Sequence, residues 1–376
     1  MITHPQIQSE VIRRIQLWHG GKPQPPVRIH FLPTDNCNLA CVFCKGRFGS
    51  PVPSVENRIS RERAMEMVLE SAEMGVLLWS LSGGGEPTYT RYTFDLMKEI
   101  KQHGMFGEIN TNGTLFEECV VSELVDVQWD HLMVSLDGAD AATHDQLRGQ
   151  RGAFDRTTRT IRLFWEHKKA QGSKLPHVGI TTVLTNQNMH QLVQMVRLAH
   201  DMGCDTISFN PVKQPPDVPS SVSISRLECK GAHRTILDSL LPEAAEVAES
   251  LGILTNLNGL SLQALEHDND MRAVLTGARD PAHPLLDKPC YEQFYNMVID
   301  FEGRVSQCCE SNRSPDANIM TVSLRDAWFQ GMKRIRTNLA AGRLQEYCAS
   351  CGDWQVARTA ELRRALRGQL RPPLVL

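Results

Sequence analysis

Three cysteines stand within eight residues, in the run Cys37-Asn38-Leu39-Ala40-Cys41-Val42-Phe43-Cys44. Thiolates are soft ligands, and three of them on one short loop can hold three irons of a four-iron cubane while leaving the fourth iron open to an outside ligand. An open iron allows a small chelating molecule to be bound and reduced, so the spacing points to chemistry as well as to structure. Zinc is the alternative, because closely spaced cysteines also make zinc knuckles. The triplet alone leaves both metals in play.

Eight of the eleven cysteines fall at the two ends of the chain: the triplet, and then Cys290, Cys308, Cys309, Cys348 and Cys351. Cys119, Cys204 and Cys229 stand apart. Two clusters separated by a sparse middle read as two metal sites, not as a disulfide framework. In the second set twelve residues separate Cys290 from Gly303, four more separate Gly303 from Cys308, and Cys348-Ala349-Ser350-Cys351 follows. Four thiolates would close a cubane with no open iron, which suits electron transfer or structure, and a four-cysteine zinc site fits the same spacing.

The rest of the chain must position these groups. Short apolar runs at Val27–Leu32, Val76–Leu81, Glu108–Thr111, His131–Leu136, Val178–Leu184 and Thr206–Asn210 alternate with helical patterns at Arg61–Met74, Tyr92–Gln102, Asp155–Ala170 and Met189–Met202. That alternation predicts an α/β fold with a parallel sheet, six β/α units forming a partial (β/α)6 barrel. The expected divisions are an N-terminal extension over 1–26, the barrel over 27–212, a mainly helical linker over 213–285, with Ile236–Leu251 its clearest helix, and a small domain over 286–376. In that last segment a hairpin is predicted from Asn296–Phe301 and Arg304–Cys308 about Glu302-Gly303, followed by a helix over Leu324–Leu339.

Barrel ligands bind at the C-terminal ends of strands. There the second strand runs into Ser82-Gly83-Gly84-Gly85-Glu86-Pro87, where glycines let backbone approach a ligand and Glu86 can meet an ammonium group. The fourth strand ends Val134-Ser135-Leu136-Asp137-Gly138, placing Ser135 and Asp137 on one face where they suit ribose hydroxyls, or serve only to cap the next helix. Asn186, Asn188, His190, Asn210, Lys213 and Glu310 are further polar candidates near the mouth, without a defining spacing.

Taken together these residues resemble the radical S-adenosylmethionine superfamily. The triplet matches its Cys-x3-Cys-x2-Cys motif, with Phe43 the aromatic before the last cysteine. Gly84-Gly85-Glu86-Pro87, Thr111-Asn112-Gly113, Ser135-Leu136-Asp137-Gly138 and the run from His144 to Arg148-Gly149 also look like that family. The resemblance covers roughly Val27 to Val212. It implies a 4Fe–4S cluster with an open iron on Cys37, Cys41 and Cys44, and S-adenosyl-L-methionine contacted by Phe43, Gly84, Gly85, Glu86, Pro87, Asn112, Ser135 and Asp137. The activity it implies is reductive cleavage of that cofactor to a 5′-deoxyadenosyl radical, which takes a hydrogen atom from a substrate.

The C-terminal segment resembles the auxiliary-cluster domain called SPASM in its shortened twitch form, with one auxiliary 4Fe–4S cluster on Cys290, Cys308, Cys348 and Cys351. Arg334, Arg336, Gly342 and the helix start at Ser323–Leu324 share in that likeness. It implies an oxidoreductase that dehydrogenates or epimerises a small polar substrate, a sugar or aminocyclitol. Cys309 and Cys229 are candidate hydrogen donors for epimerisation, while Cys204 lies at the far end of the barrel. A peptide-modifying maturase is the alternative, weighed down by the roughly 26 residues before the first strand, too few for a leader-binding module; a cobalamin-binding domain is disfavoured on the same count. A non-catalytic iron–sulfur or zinc scaffold is the remaining reading.

Bulk properties agree with an ordinary globular protein. Of 376 residues 41% are hydrophobic and 22% charged, and the formal charge is −3. No electrostatic case arises for nucleic acid or an anionic membrane. No apolar run reaches the ~20 residues needed to span a bilayer, and no secretion signal is evident. The expectation is a cytoplasmic enzyme fed electrons by a flavodoxin or ferredoxin.

Overall fold

The computed structural model describes residues 4–44, 58–212, 232–257, 283–308, 317–345, 348, 351 and 353–369. The chain divides into two compact units. One gathers the described residues of Met1–Phe31, Arg58–Trp79 and His267–Leu376, and the other those of Leu32–Asn57 and Ser80–Glu266.

The first unit opens with helix α1 (Pro5–His19), which follows a polar start and then buries Val11, Ile12 and Ile15. These three join Val27, Leu285, Leu286, Tyr291, Tyr295, Leu362 and Leu366 in one apolar cluster. The segment expected only as an extension is therefore part of this unit's core. Arg14 ties it down, donating to the carbonyls of Pro25, Pro26 and Gly75. Strand β1 (Arg28–Phe31) and helix α2 (Arg61–Glu73) follow, the latter capped by Ser60, whose hydroxyl accepts the Arg63 N–H. Strand β2 is Leu78–Leu81.

The second unit continues the β/α alternation: α3 (Thr93–Gln102), β3 (Phe106–Thr111), α4 (Glu118–Asp126), β4 (His131–Ser135), α5 (Ala141–Arg148), α6 (Ala153–Gln171), β5 (His177–Leu184), α7 (Leu192–Asp201), β6 (Thr206–Pro211), α8 (Ala232–Leu251) and β7 (Leu254–Thr255). Strands β3 to β7 pair in parallel in chain order. Crossover helices supply the apolar faces that bury the strands; in α7 Leu192, Val193, Met195, Val196 and Ala199 are buried. Helix α5 ends at Gly149, whose φ of 64° is the left-handed turn that closes it.

The remainder of the first unit holds β8 (Asn296–Ile299) and β9 (Val305–Ser306), then α9 (Lys333–Ala340) and α10 (Asp353–Gln369). β8 lies parallel to β1 and antiparallel to β9, the expected hairpin. The turn is held by Asp300, whose carboxylate accepts from the backbone of Glu302 and Arg304, and by Gly303 at φ 78°. The helix expected over Leu324–Leu339 is not continuous. A turn at Leu324–Asp326 passes into a π-helical stretch, Ala327–Gly331, before α9 begins. Arg336 reaches back to the carbonyls of Trp328 and Phe329 and accounts for the bonds that a regular ladder would have made.

The predicted fold class is the one found, a mixed α/β partial TIM-like fold with a small C-terminal region. All six predicted strands exist, with ends differing by one or two residues. Among the described residues no helix is long and apolar enough to cross a membrane.

Candidate active site

The cysteine loop is pinned through part of its backbone. The N–H groups of Ala40 and Val42 donate to the carbonyls of Arg148 and Leu147, and Cys44 N–H donates to Cys41 O. Those two carbonyls end α5, where a helix has no internal donors left to offer. Gly149 makes the close approach possible: a Cβ there would stand 2.2 Å from Ala40 O. On the other side, the N–H groups of Gly85 and Glu86 donate to Thr34 O and Asn36 O, which seats the glycine run against the residues leading into Cys37. A Cβ on Gly85 would lie 2.0 Å from Asn36 O, whereas one on Gly84 would meet nothing nearer than 3.9 Å. Gly85 is thus required by packing, while Gly84 is exposed and has room for a Cβ at ordinary contact distance.

Glu86 is buried among donors. Its carboxylate accepts from Thr88 N–H, the hydroxyls of Thr88 and Thr111, and Asn112 N–H, at 2.6–3.1 Å. Burial raises its pKa, opposed by those hydrogen bonds. Asn112 carries the network to the cysteines. Its amide donates to Asn38 Oδ1 at 2.9 Å and to Cys37 Sγ at 3.9 Å, while Asn38 donates to the Thr114 hydroxyl. Helix α6 braces this turn from behind, with the hydroxyls of Thr157 and Thr160 on the carbonyls of Asn112 and Gly113. Pro87 is buried at the start of the short 3-10 turn that Glu86 caps.

A second acid sits at the end of β4. Asp137 is fully buried, its Oδ1 accepting from Val183 N–H, while its Oδ2 lies 2.7 Å from Arg148 Nε, an ion pair without hydrogen-bond alignment. Burial pushes the carboxyl up, against the pull of Arg148. His144 Nδ1 accepts the Asp137 N–H, so the ring proton sits on Nε2, and burial pulls this histidine down to about 3, leaving it neutral. Asn188, a candidate from sequence for the mouth, is 2% exposed and donates to Asp137 O and Val183 O, so it braces the loop. Ser135 is half-buried at the strand end, His190 is exposed and Asn210 half-buried.

Arg148 joins the two halves of the site. Its Nη1 donates to Cys41 Sγ at 3.7 Å, and its guanidinium lies 5.6 Å from the centroid of the Phe43 ring. Cys37 is exposed, Cys41 buried and Cys44 half-buried. Burial pushes Cys41 up to about 11 and raises Cys37 as well, so metal binding here must displace protons. Among the described residues no three His, Cys, Asp or Glu side chains are drawn together tightly enough to hold a single ion. A cubane places each thiolate on its own iron, so such convergence is not what a cluster loop requires. Three thiols on a loop pinned at both flanks, beside exposed Gly84 and a hydrogen-bonded buried carboxylate, fit a cluster with one iron left for a chelating ligand.

The C-terminal cysteines lie in the first unit. Cys290, Cys348 and Cys351 come together closely enough that the latter two thiols act electrostatically on Cys290, whose thiol is pushed well above its ordinary range, chiefly by burial. A turn sets the last pair, with Cys351 N–H on Cys348 O. Cys308 follows β9, its carbonyl accepting from the Ser306 hydroxyl. Cys309, Cys229, Lys213 and Glu310 lie outside the described residues. Cys204 is buried and pushed up to about 12 by burial, an inert thiol.

Sequence reasoning missed Thr88, Thr111, Thr114, Thr157 and Thr160, which hold the acid and the loops. Only the Thr111-Asn112-Gly113 motif hinted at them, since hydroxyls contributed from distant turns carry no spacing signal.

Residues 31–199 match the sequence model of the Radical SAM superfamily. The chain is 34% identical to the AdoMet-dependent heme synthase of Methanosarcina barkeri over 170 residues, 45% of this chain and 46% of that protein. It is 27% identical to the mycofactocin maturase MftC of Mycolicibacterium smegmatis over 221 residues, 59% of this chain and 50% of the relative. It thus spans about half the length of the curated relatives it matches. In fold it resembles Streptococcus suis SuiB bound to its precursor peptide SuiA, with a TM-score of 0.62 at 19% identity, covering 95% of this chain and 76% of SuiB.

Proposed function

We propose, from the match of residues 31–199 to the sequence model of the Radical SAM superfamily, that this chain reductively cleaves S-adenosylmethionine and uses the product to take a hydrogen atom from a peptide. The cluster and cofactor together supply a 5′-deoxyadenosyl radical. The chain's own residues do the rest. Cys37, Cys41 and Cys44 hold the cluster. Gly84 leaves backbone open to the methionyl end of the cofactor. Glu86, whose Oε2 accepts only the Asn112 N–H while Oε1 takes the other three donors, is placed to meet its ammonium group, and Asn112 and Ser135 line its approach. Asp137, already engaged by Arg148 and Val183, shapes the end of β4. The observation that carries this reading is the pinned cysteine loop beside the open Gly84 and the buried Glu86.

A peptide replaces the sugar or aminocyclitol as the favoured substrate. The relatives reported above are a maturase, a heme synthase and a protein solved with its precursor peptide, and none is named a sugar dehydrogenase or epimerase. Cys290, Cys308, Cys348 and Cys351 are proposed to hold an auxiliary 4Fe–4S cluster that passes electrons, with zinc the competing occupant. A flavodoxin or ferredoxin is the proposed electron donor. The likeness to the heme synthase favours a second substrate class, a tetrapyrrole.

The test is anaerobic turnover with dithionite and S-adenosylmethionine, with mass spectrometry of 5′-deoxyadenosine. A precursor peptide encoded beside this gene, made with deuterated side chains, should pass deuterium into 5′-deoxyadenosine. Deuterium arriving only from a labelled porphyrin would replace the peptide reading with the second one. Absence of 5′-deoxyadenosine under every condition would overturn the enzyme reading.

A further inference from the structure

We propose that Arg148 sets the reduction potential of the cluster on Cys37, Cys41 and Cys44, with Asp137 as its counterweight. This rests on reading that loop as a cluster site. Arg148 is a positioning residue in this account, because it acts through a ligand sulfur.

The argument is one of charge and place. Arg148 is 7% exposed, and its guanidinium is shared between two partners: Cys41 Sγ at 3.7 Å from Nη1 and Asp137 Oδ2 at 2.7 Å from Nε. Reduction adds an electron to the cluster and makes its sulfurs more negative. A cationic donor on a ligand sulfur stabilises that form and raises the potential, and hydrogen bonds to sulfur are among the protein's means of tuning such clusters. Solvent screens little at this depth. Asp137 is 0% exposed and sets the opposite charge against another nitrogen of the same guanidinium, so it offsets part of the effect.

The geometry keeps the donor in place. The Leu147 and Arg148 carbonyls receive the N–H groups of Val42 and Ala40. The side chain of Arg148 and the backbone of its helix end thus grip the same loop. The guanidinium lies over the Phe43 ring, 5.6 Å from its centroid. A residue that was only a strut would loosen the loop when changed, whichever member of the pair was altered. A tuning pair must give shifts of opposite sign.

The full-length chain is reconstituted anaerobically and titrated with dithionite, without S-adenosylmethionine, and the cluster is followed by electron paramagnetic resonance. Its signal is assigned as the one missing from the Cys37/Cys41/Cys44→Ala protein. Arg148→Gln should shift the reduction equilibrium about tenfold toward the oxidised form, which for one electron is about 59 mV lower. Arg148→Lys should recover most of that shift, and Asp137→Asn should move the potential upward. Coincident potentials for Arg148→Gln and the unaltered protein, or shifts of the same sign in Arg148→Gln and Asp137→Asn, would overturn the proposal. If Arg148→Gln takes up no cluster, Asp137→Asn decides alone: a higher potential supports the proposal, and an unchanged or lower one overturns it. Failure of the unaltered chain to take up any iron overturns the cluster reading itself, an outcome distinct from a cluster whose potential does not move.

Discussion

The two cysteine-bearing regions are built in opposite ways. Near the start, three cysteines share one eight-residue loop, with Cys37 exposed and the flanking backbone pinned by the end of α5 and by the glycine run. Near the end, the cysteines come from separate stretches of chain: Cys290 ahead of Tyr291 in an apolar core, Cys308 after a hairpin, and Cys348 and Cys351 on a turn. The first arrangement puts thiols beside groups that can receive a ligand, a buried acid and an open glycine. The second leaves Cys290, Cys308, Cys348 and Cys351 all partly buried, with none exposed as Cys37 is. The lesson is that the number of cysteines says less than what stands beside them: a site meant to bind a ligand must leave one side open, and one that only holds metal is free to close.

The largest predicted difference follows directly. Replacing Cys37, Cys41 and Cys44 with alanine should abolish 5′-deoxyadenosine formation and leave about four irons per chain by iron and sulfide assay. Zinc in their stead would break the comparison, by making the second region a structural zinc site.

The glycine run divides packing from ligand approach. Gly85→Ala forces a Cβ onto Asn36 O and should destabilise the chain by about 1–3 kcal/mol in urea unfolding, through displacement of backbone that cannot yield. Gly84→Ala should leave unfolding unchanged, since the added atom meets nothing closer than 3.9 Å, yet weaken S-adenosylmethionine binding measured by equilibrium dialysis. Equal binding by the Gly84→Ala protein would remove the ligand from that side of the site.

A smaller effect is expected at Thr111. Thr111→Val deletes one of four donors to buried Glu86, leaves the other three, and should cost about 0.5–1.5 kcal/mol, read from the same unfolding experiment. The smallest lies on α1, in the unit of the C-terminal cysteines. Glu10 is lowered to about 2, first by its hydrogen bonds with Arg13. Its folded pKa is depressed, so its contribution is complete above the ordinary carboxylate value of 4.5 and is lost as pH falls toward 2. The group is half-buried but its main partner Arg13 is exposed, and solvent screening holds the effect to no more than about 1 kcal/mol. Glu10→Gln should flatten the acid limb of the stability profile without touching cofactor cleavage.

Much of the scaffold was legible in the chain. Strands buried on both faces read as apolar runs, and the glycine run and the acid after the second strand fell where barrel sites lie. Helix α1 was not legible, because its polar start masks Val11, Ile12 and Ile15, most of whose partners lie more than 250 residues away. The π-helical turn was hidden for a similar reason: it depends on Arg336 reaching back to Trp328 and Phe329. Within the site, cysteine spacing is local and announces itself. The partners of Glu86 and Asp137 come from Thr111, Asn112, Arg148 and Val183, brought together only by the fold. Asn188 read as a possible ligand contact for want of that information.

The central claim is that the Cys37–Cys44 loop holds the open cluster and the C-terminal cysteines do not. Its most direct test is electron paramagnetic resonance of the reduced protein, with and without S-adenosylmethionine, in two variants. One lacks Cys37, Cys41 and Cys44; the other lacks Cys290, Cys308, Cys348 and Cys351. The account predicts that the cofactor changes the signal of the second protein and leaves that of the first untouched. A cofactor-sensitive signal in the protein lacking Cys37, Cys41 and Cys44 would contradict it.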